Sequence, residues 1–127
     1  MTTLKVGIAD YDEMKARTMR IAKGEEKPAP GDPKVWFTST ESFAKVLSAG
    51  NRELLRVIAE KAPASLEELS ELTGRALSNL SRTMKTMESY GLVRLEKEGR
   101  KLAPKVVHDR VELALPLLDR RVAKGGR

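Results

Sequence analysis

The chain has 127 residues, 40% hydrophobic but only 4% aromatic, which suffices for one domain with an appendage, built on an aliphatic and methionine core. It has no cysteine, hence no disulfide, thiolate chemistry or cysteine-ligated zinc or iron–sulfur centre, and no run approaches the ~18 apolar residues of a membrane span. A net charge of +6 favours an anionic partner, and the opening MTTLKVGIADYDE lacks the basic region and apolar block of a secretory signal, so the expected location is cytoplasmic.

Leu4 to Ile8 (LKVGI) reads as a short strand. Asp10, with Glu13 three residues on, makes a capping pattern for a helix from Tyr11 to Lys23. Met14, Thr18, Ile21 and Ala22 form its narrow apolar stripe; Lys15, Arg17, Arg20 and Lys23 make the other side basic. Such a helix packs on the body or a second subunit, or lies on an anionic surface; Asp10, Asp12 and Glu13 dilute its charge and favour packing. Residues 24–33 (GEEKPAPGDP) hold three prolines and two glycines and read as an extended linker, dividing an N-terminal arm (1–33) from the body.

Lys34 to Thr38 (KVWFT) is a second strand, with Trp36 and Phe37 read as packing residues rather than a base-stacking platform. Thr38 and Glu41 repeat the capping pattern for a helix through Ser48 that buries Phe43, Val46 and Leu47. Gly50-Asn51 breaks it. Asn51 then caps a helix to Ala62, lined by Leu54, Leu55, Ile58 and Ala62 and ended by Pro63.

Residues 65–93 organise the rest. Ser65 and Glu68 form a capping box in which the glutamate reaches back to the serine's own amide. Leu66, Leu69 and Leu72 give the helix one apolar face, small Ser70 leaves room for a neighbouring helix, and Gly74 ends the element. A second helix runs from Ala76 to Tyr90 and is stopped by Gly91; Leu77, Leu80, Met84 and Met87 share its inward stripe. Its other face carries Ser78, Arg82, Lys85, Thr86 and Ser89, with Asn79 at the edge and Glu88 near the buried stripe, so two cations stand there without an acid. Most such faces are merely solvated, but those mix glutamate with lysine.

Leu92 to Glu96 (LVRLE) alternates as a half-buried strand does, Glu98-Gly99 makes a turn, and Arg100 to Ala103 returns antiparallel. From Arg75 to Lys105 there are eight Lys/Arg against three Glu, a net +5 in a quarter of the chain. Val111 to Leu115 suggests a last strand, whose partner is the N-terminal strand of the same chain or of a second one. His108, the single histidine, reads as a surface or turn residue, and the tail from Asp119 (DRRVAKGGR) as a basic disordered end. No catalytic set, cofactor motif or metal-ligand cluster is visible, so an enzyme is not expected.

The stretch LSELTGRALSNLSRTMKTMESYGLVRLE resembles the helix-turn-helix and wing of MarR- and ArsR-like regulators; Ser78, Ser81, Arg82, Gly91, Leu92 and Val93 carry the likeness. Arg75-Ala76-Leu77 departs from it, standing where a serine or threonine usually caps the recognition helix. More widely, residues 4 to 115 resemble short prokaryotic DNA-binding regulators, some of them antitoxins of the TumE–TumA type. The resemblance implies an α+β, mostly α fold, with a winged helix-turn-helix over 34–107 and a C-terminal strand and tail over 108–127. It implies a homodimeric, nucleoid-associated repressor of transcription on double-stranded DNA. Ser78, Asn79, Ser81 and Arg82 would read bases, and Arg75, Lys85, Thr86, Arg94, Lys97, Arg100, Lys101 and Lys105 would hold phosphate. The alternative is an antitoxin that neutralises a small protein toxin through its N-terminal arm, with DNA binding secondary.

Overall fold

The computed structural model describes residues 2–27 and 31–118. Its elements are β1 (Thr2–Ile8), α1 (Tyr11–Ala22), β2 (Val35–Phe37), α2 (Thr40–Val46), α3 (Ala49–Lys61), α4 (Leu66–Thr73), α5 (Leu77–Ser89), β3 (Val93–Glu98), β4 (Lys101–Val106) and β5 (His108–Ala114). The architecture is α+β, with five helices and five strands among the described residues. Residues 28–30 of the expected linker and the whole expected basic tail lie outside them.

β1 is the middle strand of a three-stranded sheet ordered β2-β1-β5, and both pairings are parallel. Val6 lies opposite Val35, and Leu4 opposite Val111, so the last strand pairs with the first strand of its own chain. The N-terminal segment thus lies between strands drawn from both of the segments that follow it. Leu4 and Val6 are buried and Lys5 is exposed, the alternation of a strand with one face on the core. Gly7 is needed on the other face: a Cβ there would stand 2.5 Å from Trp36 Cζ3, so the indole lies directly against the strand backbone.

Parallel neighbours need a crossover, and α1 supplies it between β1 and β2. Asp10 caps it, accepting from the Glu13 amide at 2.8 Å. At its other end Gly24, at φ 77°, lets the Gly24 and Glu25 amides fold back onto the Ile21 and Arg20 carbonyls. No α1 residue is buried. Polar contacts hold the helix instead: Arg17 pairs with Glu26 at 3.2 Å and Asp32 at 2.9 Å and lies 5.6 Å from the Trp36 ring centre, while Arg20 pairs with Glu26 at 2.8 Å.

Two caps differ from the sequence expectation. Ser39, not Thr38, opens α2, in a reciprocal box with Ser42, and α2 ends at Val46 rather than Ser48. Ser48 is thereby freed to cap α3 in place of Asn51, accepting from the Asn51 amide at 3.2 Å. In α4 the Ser65 hydroxyl accepts from Glu68 as expected, but the Glu68 carboxylate accepts from the Ala64 amide, one residue before the cap.

One core joins sheet and helices, drawing on Leu4, Val6 and Phe37, on Leu54, Ile58 and Leu69, on Leu80, Met84 and Met87, and on Leu92 and Val93. Leu72 and Leu77 do not join it; they are 45% and 44% exposed. Steps of three residues drift by ~60° on a helix, which carries Leu72 off the face shared by Leu66 and Leu69. Leu77 opens α5, and helical side chains lean toward the N-terminus, so its side chain overhangs the turn.

Candidate functional site

α5 is held at its C-terminus directly and at its other end through the α4–α5 turn. At its C-terminus Gly91, at φ 77°, lets its amide bond the Glu88 carbonyl (3.0 Å) and the Leu92 amide bond the Met87 carbonyl (2.9 Å). This closure buries Leu92 beside Met87 and aims Val93 into β3. Tyr90 then stacks on Phe37 of β2, centroids 4.1 Å apart, and Phe37 meets Phe43 of α2 edge-on at 5.2 Å. The sheet therefore braces the end of α5, a connection that local sequence pattern does not display.

At the other end the α4–α5 turn is tied down by polar side chains. Ser70 Oγ donates to the Arg75 carbonyl at 2.6 Å. Arg75, expected on phosphate, directs its guanidinium inward, to Asn51 Oδ1 at 3.1 Å and the Gly50 carbonyl at 2.9 Å, fastening the turn to the first turn of α3. Ala76 is in N-cap position, its carbonyl accepting from Leu80 at 3.0 Å, but it has no side-chain oxygen to cap the helix.

Between these anchors Ser78, Asn79, Arg82, Lys85, Thr86 and Ser89 are exposed, while Leu80, Met84 and Met87 are buried. Among the described residues the side chains of Ser78, Asn79, Arg82 and Lys85 have no hydrogen-bond or ionic partner. Ser81 is half-buried, at the margin of this face rather than on it. Glu88 is exposed, not sheltered beside the stripe, but its carboxylate accepts from the Leu95 amide at 3.1 Å and so belongs to the β3 junction. The face presents donors and hydroxyls without an acid, a surface suited to anionic acceptors.

β3 and β4 form an antiparallel hairpin, Val93 opposite Val106 and Glu98 opposite Lys101. The two-residue loop is Gly99-Arg100, one place later than expected, with Gly99 at φ 66° in the first loop position. Lys97, Arg100 and Lys101 are exposed around this tip. Arg94 and Lys105 stand directly opposite each other across the strands; Arg94 is 3.6 Å from Glu96, and Lys105 is half-buried. The structure thus gathers the expected residues into two groups, the α5 face and the hairpin, and leaves Arg75 within the scaffold.

The sequence missed a third contributor. Lys45, Asn51 and Thr83 line, with Asn79, Arg82 and Thr86, a shallow concavity of about 480 Å³ at the flank of α5. Lys45 is exposed on α2, and its nearness to Arg82 depends on a helix crossing that periodicity cannot supply. Among the described residues no cluster of His, Asp or Glu is placed to hold a metal ion, and no helix is long and apolar enough to cross a membrane.

These features define an α+β protein in which one helix, α5, exposes a cationic face without an acid beside a basic hairpin. The chain belongs to the HVO_A0114 family, whose model matches residues 46–113, from the end of α2 through the three following helices and the hairpin into β5. No curated protein and no solved structure matches it.

Proposed function

We propose that the chain is a winged helix-turn-helix protein that binds duplex DNA sequence-specifically through α5 and represses transcription. The observation that carries this reading is the exposed face of α5, where Ser78, Asn79, Arg82 and Lys85 have no acid among them. The order α3, α4, α5, β3, β4 supports the winged reading, with Gly74, at φ 75°, in the turn between α4 and α5. In this reading Arg82 addresses guanine and Asn79 adenine in the major groove, with Ser78 beside them. Lys45, Lys85, Lys97, Arg100 and Lys101 take phosphate. The open N-terminus of α5 adds backbone amides to that set.

Selection from a random duplex pool, followed by anisotropy titration at fixed salt, tests the proposal. Selected sites should bind at least ~10³-fold more tightly than random duplex. Equal affinity for every sequence would overturn it.

A second reading rests on α1. Tyr11 (72% exposed) and Met19 (49%) project from α1, and a hollow of about 670 Å³ lies among α1, Trp36 and residues 116–118. Apolar side chains so displayed favour a protein partner there, as the antitoxin alternative requires. Loss of a co-purifying protein from a Tyr11→Ala, Met19→Ala variant that still binds DNA would assign that role to α1.

A further inference from the structure

The two outer strands of the β2-β1-β5 sheet are unequally protected. β2 is three residues long and closely follows Pro33, a short edge of the kind that resists pairing. β5 runs seven residues without proline or lysine, and no described strand lies on its outer side. Next to it is a groove of about 810 Å³ whose wall includes Phe43, Leu47, Leu55, Val106 and Val111.

The residue order of β5 selects an occupant. Val111 is the midpoint of His108–Ala114, with Arg110 before it and Glu112 after it. A second β5 laid antiparallel about that midpoint sets Arg110 opposite the partner's Glu112, and the same contact recurs by symmetry. Arg110 and Glu112 are exposed on the outer strand and already form an ion pair of 3.0 Å along it, so the two-fold arrangement would join two such pairs into one alternating cluster. The same register places the partner's Leu113 beside Asp109, which lines the groove; Leu113 is 37% exposed in the single chain. Parallel pairing in the same register would instead set arginine on arginine.

We propose that a second copy of this chain docks on β5, the two strands pairing antiparallel about Val111 to join the two sheets across a two-fold axis. Such an interface is isologous: the strand is its own complement. The inference is independent of what α5 contacts. A dimer that binds no DNA leaves it intact, and a monomer that binds DNA overturns it alone.

Sedimentation equilibrium of the full chain should show a dimer. Arg110→Glu and Glu112→Arg, each alone, set like charges opposite each other twice and should weaken self-association roughly 100-fold. An equimolar mixture of the two variants should regain a one-to-one dimer, since each presents the sign that the other lacks. Repulsion within each strand persists in that mixture, so recovery cannot come from repair inside one chain. A monomeric wild type, variants that associate as the wild type does, or a mixture that stays monomeric would each overturn the proposal. The wild-type measurement decides even if a variant fails to fold.

Discussion

Arg82 and Lys101 are both exposed cations, and in the proposed DNA-binding reading their surroundings suit them to different tasks. Arg82 lies mid-helix between anchored ends, beside Asn79 and Thr86, where a planar fork can be held against a base edge. Lys101 stands at a hairpin tip opposite Glu98, a flexible point charge suited to phosphate. Arg82→Ala should therefore cost ~1–3 kcal/mol on the preferred site and blur selection at one base pair. Lys101→Ala should weaken all duplexes alike and reduce the slope of log K against log salt by ~0.9. Parallel titrations of both variants on preferred and random duplex check this; equal losses on both for Arg82→Ala would make it a phosphate contact. Arg75 shows the limit of such assignment from sequence. Its charge was legible, but its hydrogen bonds to Gly50 and Asn51 depend on how α3 meets the α4–α5 turn.

At the scale of elements, α5 combines good closure at one end with none at the other. Ala76 has φ −63° and ψ 140°, the extended backbone of an N-cap, so a serine there needs no rearrangement to accept from the first free amides. Ala76→Ser should stabilise the fold by ~1 kcal/mol, seen as a melting point higher by about 3–5 °C for a chain of this size. If those amides serve phosphate, the same change should weaken DNA binding, because the new hydroxyl occupies one of them. Stability and affinity would then move in opposite directions; a variant with higher melting point and unchanged affinity would show that the open helix end takes no part.

The same helix shows what local pattern could and could not disclose. Its limits to within one residue at each end, its buried Leu80, Met84 and Met87 (though not Leu77) and its closing Gly91 followed from 3.6-residue spacing and from glycine's access to positive φ. The caps of α2 and α3 shifted because several hydroxyls crowd each start, Thr38-Ser39-Thr40 and Ser48 before Asn51, and the choice depends on where the preceding element stops. The N-terminal strand was a legible partner for the last strand, but that the two pair in parallel within one chain depends on how its ends meet, which no short window contains.

At the scale of the molecule, that pairing bears on the expectation of a separable N-terminal arm. β1 contributes Leu4 and Val6 to the core that also holds Leu69, Leu80 and Met84, and Phe37 of β2 stacks on Tyr90 at the end of α5. Sheet and α5 should then unfold as one cooperative unit. The chain carries its own probe for this: Trp36, the single tryptophan, lies in β2 against Gly7 and reports on the sheet, whereas far-UV ellipticity reports mainly on the helices. Thermal midpoints followed by Trp36 fluorescence and by ellipticity should coincide. Phe37→Ala, which empties a fully buried position, should lower both together by ~3–5 kcal/mol of stability. A fluorescence midpoint well below the ellipticity midpoint, or a Phe37→Ala variant that melts the sheet while sparing the helices, would instead mean that β1, α1 and β2 form a detachable unit. Sequence discrimination by α5 would then be expected to survive without them. Coincident transitions place the brace of α5 in the N-terminal strands, so that, if α5 reads DNA as proposed, loosening the β2-β1-β5 sheet should cost selectivity without removing any proposed DNA contact.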